Sequence, residues 1–201
     1  MEKSGHIENY LGDIAQIAGL VNKSAIEKAV NILADIQKNE GRIYFLGVGG
    51  GAGNASHAVN DFRKIAGMDA CTPTDNVSEL TARVNDEGWD TSFISWLKCS
   101  RLSARDCVFI LSVGGGNAEK HISNNLVHAL RYAKDVGSKI IGIVGRDGGY
   151  TAKVADVAII IPNVNEKSLT PHVESFQSVI CHLLVSHPAI KKYEMKWESV
   201  K

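Results

Sequence analysis

The sequence predicts an α/β protein, a three-layer doubly wound sandwich with a mainly parallel five-stranded sheet in the flavodoxin-like order. Three observations carry this. Short apolar, β-rich runs recur along the chain; stretches with helical periodicity separate them; and the strands end in glycines. Strands that read as near-continuous apolar runs, rather than as alternating ones, belong to a parallel sheet covered on both faces.

Residues 7–20 and 24–38 place Ile, Leu, Val and Ala at spacings of three and four, which predicts two amphipathic helices. Ser24 and Glu27 fit a capping box for the second, and Gly41 is expected to stop it. The run at 42–48 (RIYFLGV) reads as the first strand, followed by a weaker one at 70–73 and by others at 107–113, 139–145 and 157–162. Helical stretches are expected at about 53–66, 77–84, 90–100, 122–136, 149–154 and 171–186. No linker-like run divides the chain, so 1–201 reads as a single domain.

The charges cancel, 22 Lys plus Arg against 22 Asp plus Glu, and no long-range field favours nucleic acid or an anionic membrane. Cys71, Cys99, Cys107 and Cys181 lack the paired spacing of zinc or redox sites and read as reduced, mostly buried thiols of a cytoplasmic protein. The first twenty residues contain Glu2, Glu8 and Asp13, unlike a signal peptide, and eighteen apolar residues nowhere run together.

Two glycine-rich turns follow the strands at 42–48 and 107–113: Gly47-Val-Gly-Gly-Gly-Ala-Gly53 and Ser112-Val-Gly-Gly-Gly-Asn117. Ligands of such sheets bind beyond the carboxyl ends of the strands. Glycine lets backbone N–H groups approach an anion, and the following helix N-terminus adds its dipole, so a phosphate needs no basic side chain there. Gly49, Gly50, Gly51, Asn54, Gly114 and Gly115 are the expected contacts, with Ser112, Asn117 and Ser123 as side-chain donors. The spacing of Gly47, Gly49 and Gly51 does not fit a dinucleotide fingerprint, and no acidic residue closes a second strand, so no nucleotide cofactor is expected.

The order of these features resembles the SIS (sugar isomerase) family and, within it, the phosphoheptose isomerase branch. The supporting segments are GVGGGAGNASH at 47–57, SELTARVND at 78–86, the turn at 112–116, GRDGG at 145–149, and TPHVE at 170–174 followed by His182. The resemblance implies a site of His57, Asp61, Glu174 and His182, also a credible ligand set for zinc. It implies Asp86 as a contact for sugar hydroxyls, and a homotetramer with sites between subunits in which the helices at about 7–38 pack. The chain departs from the family pattern at Val48 and Gly51, where asparagine and serine are common. Asp61 replaces the usual glutamate and Glu174 the usual glutamine. The second turn is about six residues longer than is usual, with Asn117 to His121 inserted, and Ser123 takes the place of a phosphate serine.

The implied activity is aldose–ketose isomerisation through an enediol, of sedoheptulose 7-phosphate to a heptose 7-phosphate. It needs a base at carbon and an acid at oxygen. Asp61, with Glu174 as substitute, is assigned as base, His182 as acid and base at the oxygens, and His57 as metal ligand or polariser. Two alternatives stand beside this: a non-catalytic SIS protein of the type that binds the replication initiator DnaA, and an isomerase or lyase for another sugar phosphate.

Overall fold

Every strand predicted from the sequence forms, and all run parallel. The computed structural model describes residues 5–194. Strands β1 (Arg42–Gly47), β2 (Asp69–Cys71), β3 (Cys107–Ser112), β4 (Lys139–Val144) and β5 (Val157–Ile160) lie in the order β2-β1-β3-β4-β5. Phe45 pairs with Phe109, and Phe109 with Ile141, so large apolar side chains stack across the middle of the sheet.

Successive strand residues point to opposite faces, and each face has its own core. Ile43 and Phe45 pack with α1 (His6–Leu20), α2 (Lys23–Lys38), α3 (Gly50–Lys64) and α8 (Leu169–Ser186). Tyr44 and Leu46 pack on the other face with α5 (Ser92–Cys99) and α6 (Asn124–Val136). The partly buried Leu80 of α4 (Val77–Glu87) and Val154 of α7 (Gly149–Val154) join that second face. The two leading helices differ: α2 buries five residues, whereas α1 buries only Ile17 and leaves Ile7, Leu11 and Leu20 exposed. Among the described residues no helix is long and apolar enough to cross a membrane.

Several element ends differ from the sequence expectation. The cap of α2 is Asn22, whose side chain accepts from the Ala25 N–H at 3.1 Å, so Ser24 and Glu27 lie inside the helix and form no capping box at its start. The same helix ends at Lys38, before Gly41. Helix α3 begins three residues earlier than expected because Gly49, at φ 61°, caps it in a conformation few other residues adopt. A Cβ on Gly51 would land on the Leu111 carbonyl, so this glycine lets α3 pack directly against β3. The inserted segment folds as a small antiparallel pair, Asn117 with Ile122, and delays α6 to Asn124. Helix α4 runs to Glu87, which puts Asn85 and Asp86 in its last turn rather than after it.

Helices α3 and α8 both run back from the carboxyl ends of the strands and pack side by side. Asn54 fixes their register. Its Nδ2 donates to the Glu174 carbonyl and to Gln177 Oε1, both at 2.9 Å, and its Oδ1 accepts from Ser178 Oγ at 2.9 Å. The groove they form carries the candidate site.

Candidate active site

Helix α3 contributes His57 and, one turn later, Asp61; α8 contributes His182. His57 Nε2 and His182 Nε2 each lie 3.3 Å from Asp61 Oδ2, and 3.4 Å from each other. Asp61 is 5 % exposed, and both imidazoles sit over it in half-exposed positions. Its Oδ1 accepts from Asn60 Nδ2 at 3.0 Å, but its buried Oδ2 has no hydrogen-bond partner.

A buried carboxylate oxygen without a partner is costly, so a cation is what this arrangement favours. The donor set, two imidazole nitrogens and one carboxylate oxygen, is that of a divalent transition metal. The three atoms form a nearly equilateral triangle whose centre is about 1.9 Å from each, close to the roughly 2.0–2.1 Å of zinc–nitrogen bonds. Cys181 lies beneath the cluster, where burial, helped by the Asp61 charge, pushes its thiol up to about 12.

Glu174 is outside this cluster, two turns before His182 on α8 or about 12 Å along the axis. Its carboxylate stands against the first glycine turn, where a Cβ on Gly50 would fall 2.5 Å from its Oε1 and Oε2. Among the described residues no group donates to that carboxylate, whereas the Asn54 side chain is committed to bracing α8.

The second glycine turn interlocks with the Gly145–Gly149 turn. A Cβ on Gly115 would land on the Gly148 carbonyl, and the Gly115 and Gly116 carbonyls accept from Thr151 and Tyr150 N–H at 2.9 and 2.7 Å. Gly115 is therefore required for turn-to-turn packing. Ser112 Oγ accepts from the Gly115 N–H at 3.1 Å. Gly114 and Ser123 border a cavity of about 610 Å³ beyond β3 and β4, together with Lys120, Arg146 and Thr170.

Those two cations are functional candidates that the sequence reading passes over, since it expects phosphate to be held without a basic side chain. They come from separate loops, and only the interlocked turns bring them together. Asn117 also lines the cavity, but its Oδ1 accepts from the Glu119 and Lys120 N–H groups. Asp86 is exposed on α4, accepts from Asn85 at 2.7 Å and borders neither the cavity nor the histidine cluster. Asn125, fully buried in the first turn of α6, leaves its Nδ2 without a partner.

Comparison with known proteins adds family context. The model of the SIS domain family matches residues 9–145. Phosphoheptose isomerase of Aliarcobacter butzleri is 29 % identical over 193 residues, covering 90 % of this chain and 96 % of that protein. Phosphoheptose isomerase of Syntrophotalea carbinolica is 30 % identical over 178 residues, covering 86 % and 85 %. The phosphoheptose isomerase structure from Neisseria gonorrhoeae matches at a TM-score of 0.77 and 22 % identity over 90 % of this chain and 94 % of that one, a likeness of fold.

Proposed function

The chain belongs to the SIS domain family, and on that premise we propose that it is an aldose–ketose isomerase interconverting sedoheptulose 7-phosphate and a heptose 7-phosphate through an enediol. The observation that carries the reading is the buried Asp61 beneath His57 and His182, with the unpaired Glu174 carboxylate at the glycine turn on the same groove.

Asp61 belongs with the two imidazoles to the candidate metal set, so Glu174 takes the role of base: it removes the proton from the hydroxyl-bearing carbon and returns it to the neighbouring carbon. In the metal-free site His182 moves protons between the two oxygens, and His57 polarises the carbonyl. Zinc fits His57, Asp61 and His182; when bound it supplies a Lewis acid for the carbonyl oxygen. The sequence-assigned fourth ligand, Glu174, serves proton transfer instead.

Gly50 and His57 are about 10 Å apart along α3. With bonds of about 1.5 Å, a triose phosphate bridges roughly half of that span and a six- or seven-carbon sugar phosphate most of it. The spacing supports a long-chain substrate that spans the groove from the glycine turns to the histidines.

His57 and His182 are 54 % and 46 % exposed, and Val179 and Leu183, on the same helix as His182, are 51 % and 41 % exposed. A further copy packed here and on the apolar side of α1 would exclude water from the site. We take the working form as a homotetramer with sites at subunit interfaces.

A screen of sugar phosphates for aldose–ketose conversion, with and without added zinc, tests the assignment. Conversion of sedoheptulose 7-phosphate is expected to exceed that of shorter sugar phosphates. Conversion of none would return the chain to a regulatory role.

A further inference from the structure

On the reading that the substrate is a sugar phosphate, we propose that Lys120 and Arg146 read the charge of its phosphate, and so restrict this protein to dianionic phosphate esters. Both line the cavity beyond β3 and β4, as do Ser123 and Thr170. Among the described residues neither side chain forms an ion pair. One carboxylate, Asp147, shares the cavity; its Oδ1 accepts from the Gly149 N–H at 3.0 Å. Two cations thus face one carboxylate that is already engaged, and the excess is positive.

The inserted segment holds Lys120 in a defined place. Asn117 and Ile122 exchange backbone hydrogen bonds at 2.9 and 3.0 Å, and Asn117 Oδ1 accepts from the Glu119 and Lys120 N–H groups at 3.0 and 2.9 Å. Arg146 sits at φ 53° in the left-handed region, which costs a residue with a Cβ about 1 kcal/mol or more and which glycine would relieve. Ser123, which also lines the cavity, has the same φ. Side chains persist at both positions despite that cost.

Glycine amides and a helix dipole bind any small anion. Two cations add discrimination by charge, because a phosphate monoester carries about −1.5 to −2 at neutral pH with a second pKa of about 6. This chain has Gly114 and an insertion in its second turn, and the cations compensate for the donors that a glycine-rich turn lacks.

Calorimetry with sedoheptulose 7-phosphate and with sedoheptulose as probes tests this. Lys120→Ala and Arg146→Ala are each expected to weaken phosphate-ester binding about tenfold, and the double variant more, with sedoheptulose binding unchanged. Lys120→Arg and Arg146→Lys should restore most of the loss. Wild-type affinity should fall as the pH drops through about 6 and the ester takes up a proton, and the double variant should show a shallower fall. A double variant that unfolds at the wild-type temperature and keeps wild-type affinity for the ester overturns the proposal while leaving the isomerase reading in place. A wild-type protein that does not distinguish the ester from the free sugar overturns both.

Discussion

Two buried aspartates, each among the least exposed charged groups of the chain, are treated in opposite ways. Asp106, just before β3, is 1 % exposed and accepts five hydrogen bonds: from Arg42 N, Nε and Nη2 at 3.0, 3.3 and 2.9 Å, and from Ser103 N and Oγ at 2.8 Å each. Burial alone would raise its carboxyl, but the bonds from Arg42 and Ser103 outweigh this and hold it below the usual carboxylate range. Asp61, 5 % exposed, has one bond on Oδ1 and an unpartnered Oδ2 facing two imidazoles. A carboxylate that serves the fold is saturated by the chain; one left short of partners is reserved for something the chain does not itself contain. The first sits at the amino ends of the strands, where the loops only close the sheet, and the second in the groove where α3 meets α8.

The comparison breaks or sharpens with substitution. Asp106→Ala should lower unfolding free energy by about 3 kcal/mol, since it strands the Arg42 charge and the Ser103 donors, while turnover per folded molecule is unchanged. Urea denaturation beside an activity assay checks it, and a stable variant would mean that the network contributes little. Asp61→Asn should do the reverse: stability within about 1 kcal/mol of wild type, with zinc bound at least about tenfold more weakly. Competition with a chromophoric chelator reads the second value; unchanged zinc affinity would remove Asp61 from the ligand set. The smallest effect concerns acid. Because the Asp106 carboxyl is depressed in the folded state, its contribution is present above the unfolded value of about 3.9 and is lost as pH falls through the folded one. Asp106→Asn should therefore flatten the loss of stability below about pH 4 in urea denaturation run across acid pH.

The sheet was legible because its strands are continuous apolar runs, and the order of strands and helices admits few right-handed parallel windings. Helix ends were less so. Asn22 and Ser24 both offer a capping oxygen, and the geometry chose the first; the glycines before α3 read as loop, although Gly49 is the cap itself. In the site, a spacing of four already puts His57 and Asp61 on one helical face. Their meeting with His182 depends on α3 packing against α8, which periodicity does not reveal and the family resemblance supplied. Lys120 and Arg146 were illegible for a related reason: they converge only because Gly115 and Gly149 let two turns interlock.

The central claim, that the groove between α3 and α8 performs proton transfer at carbon with Glu174 as the base, is tested most directly by isotope exchange. Sedoheptulose 7-phosphate incubated with the protein in deuterium oxide should take up deuterium at the carbon next to the carbonyl as the aldose appears. Glu174→Gln should bind the ester normally while exchange and turnover fall on the order of a hundredfold or more, and Asp61→Asn should retain more exchange than Glu174→Gln. Wild-type exchange in Glu174→Gln, or its loss in Asp61→Asn alone, would contradict the assignment and make Asp61 the base.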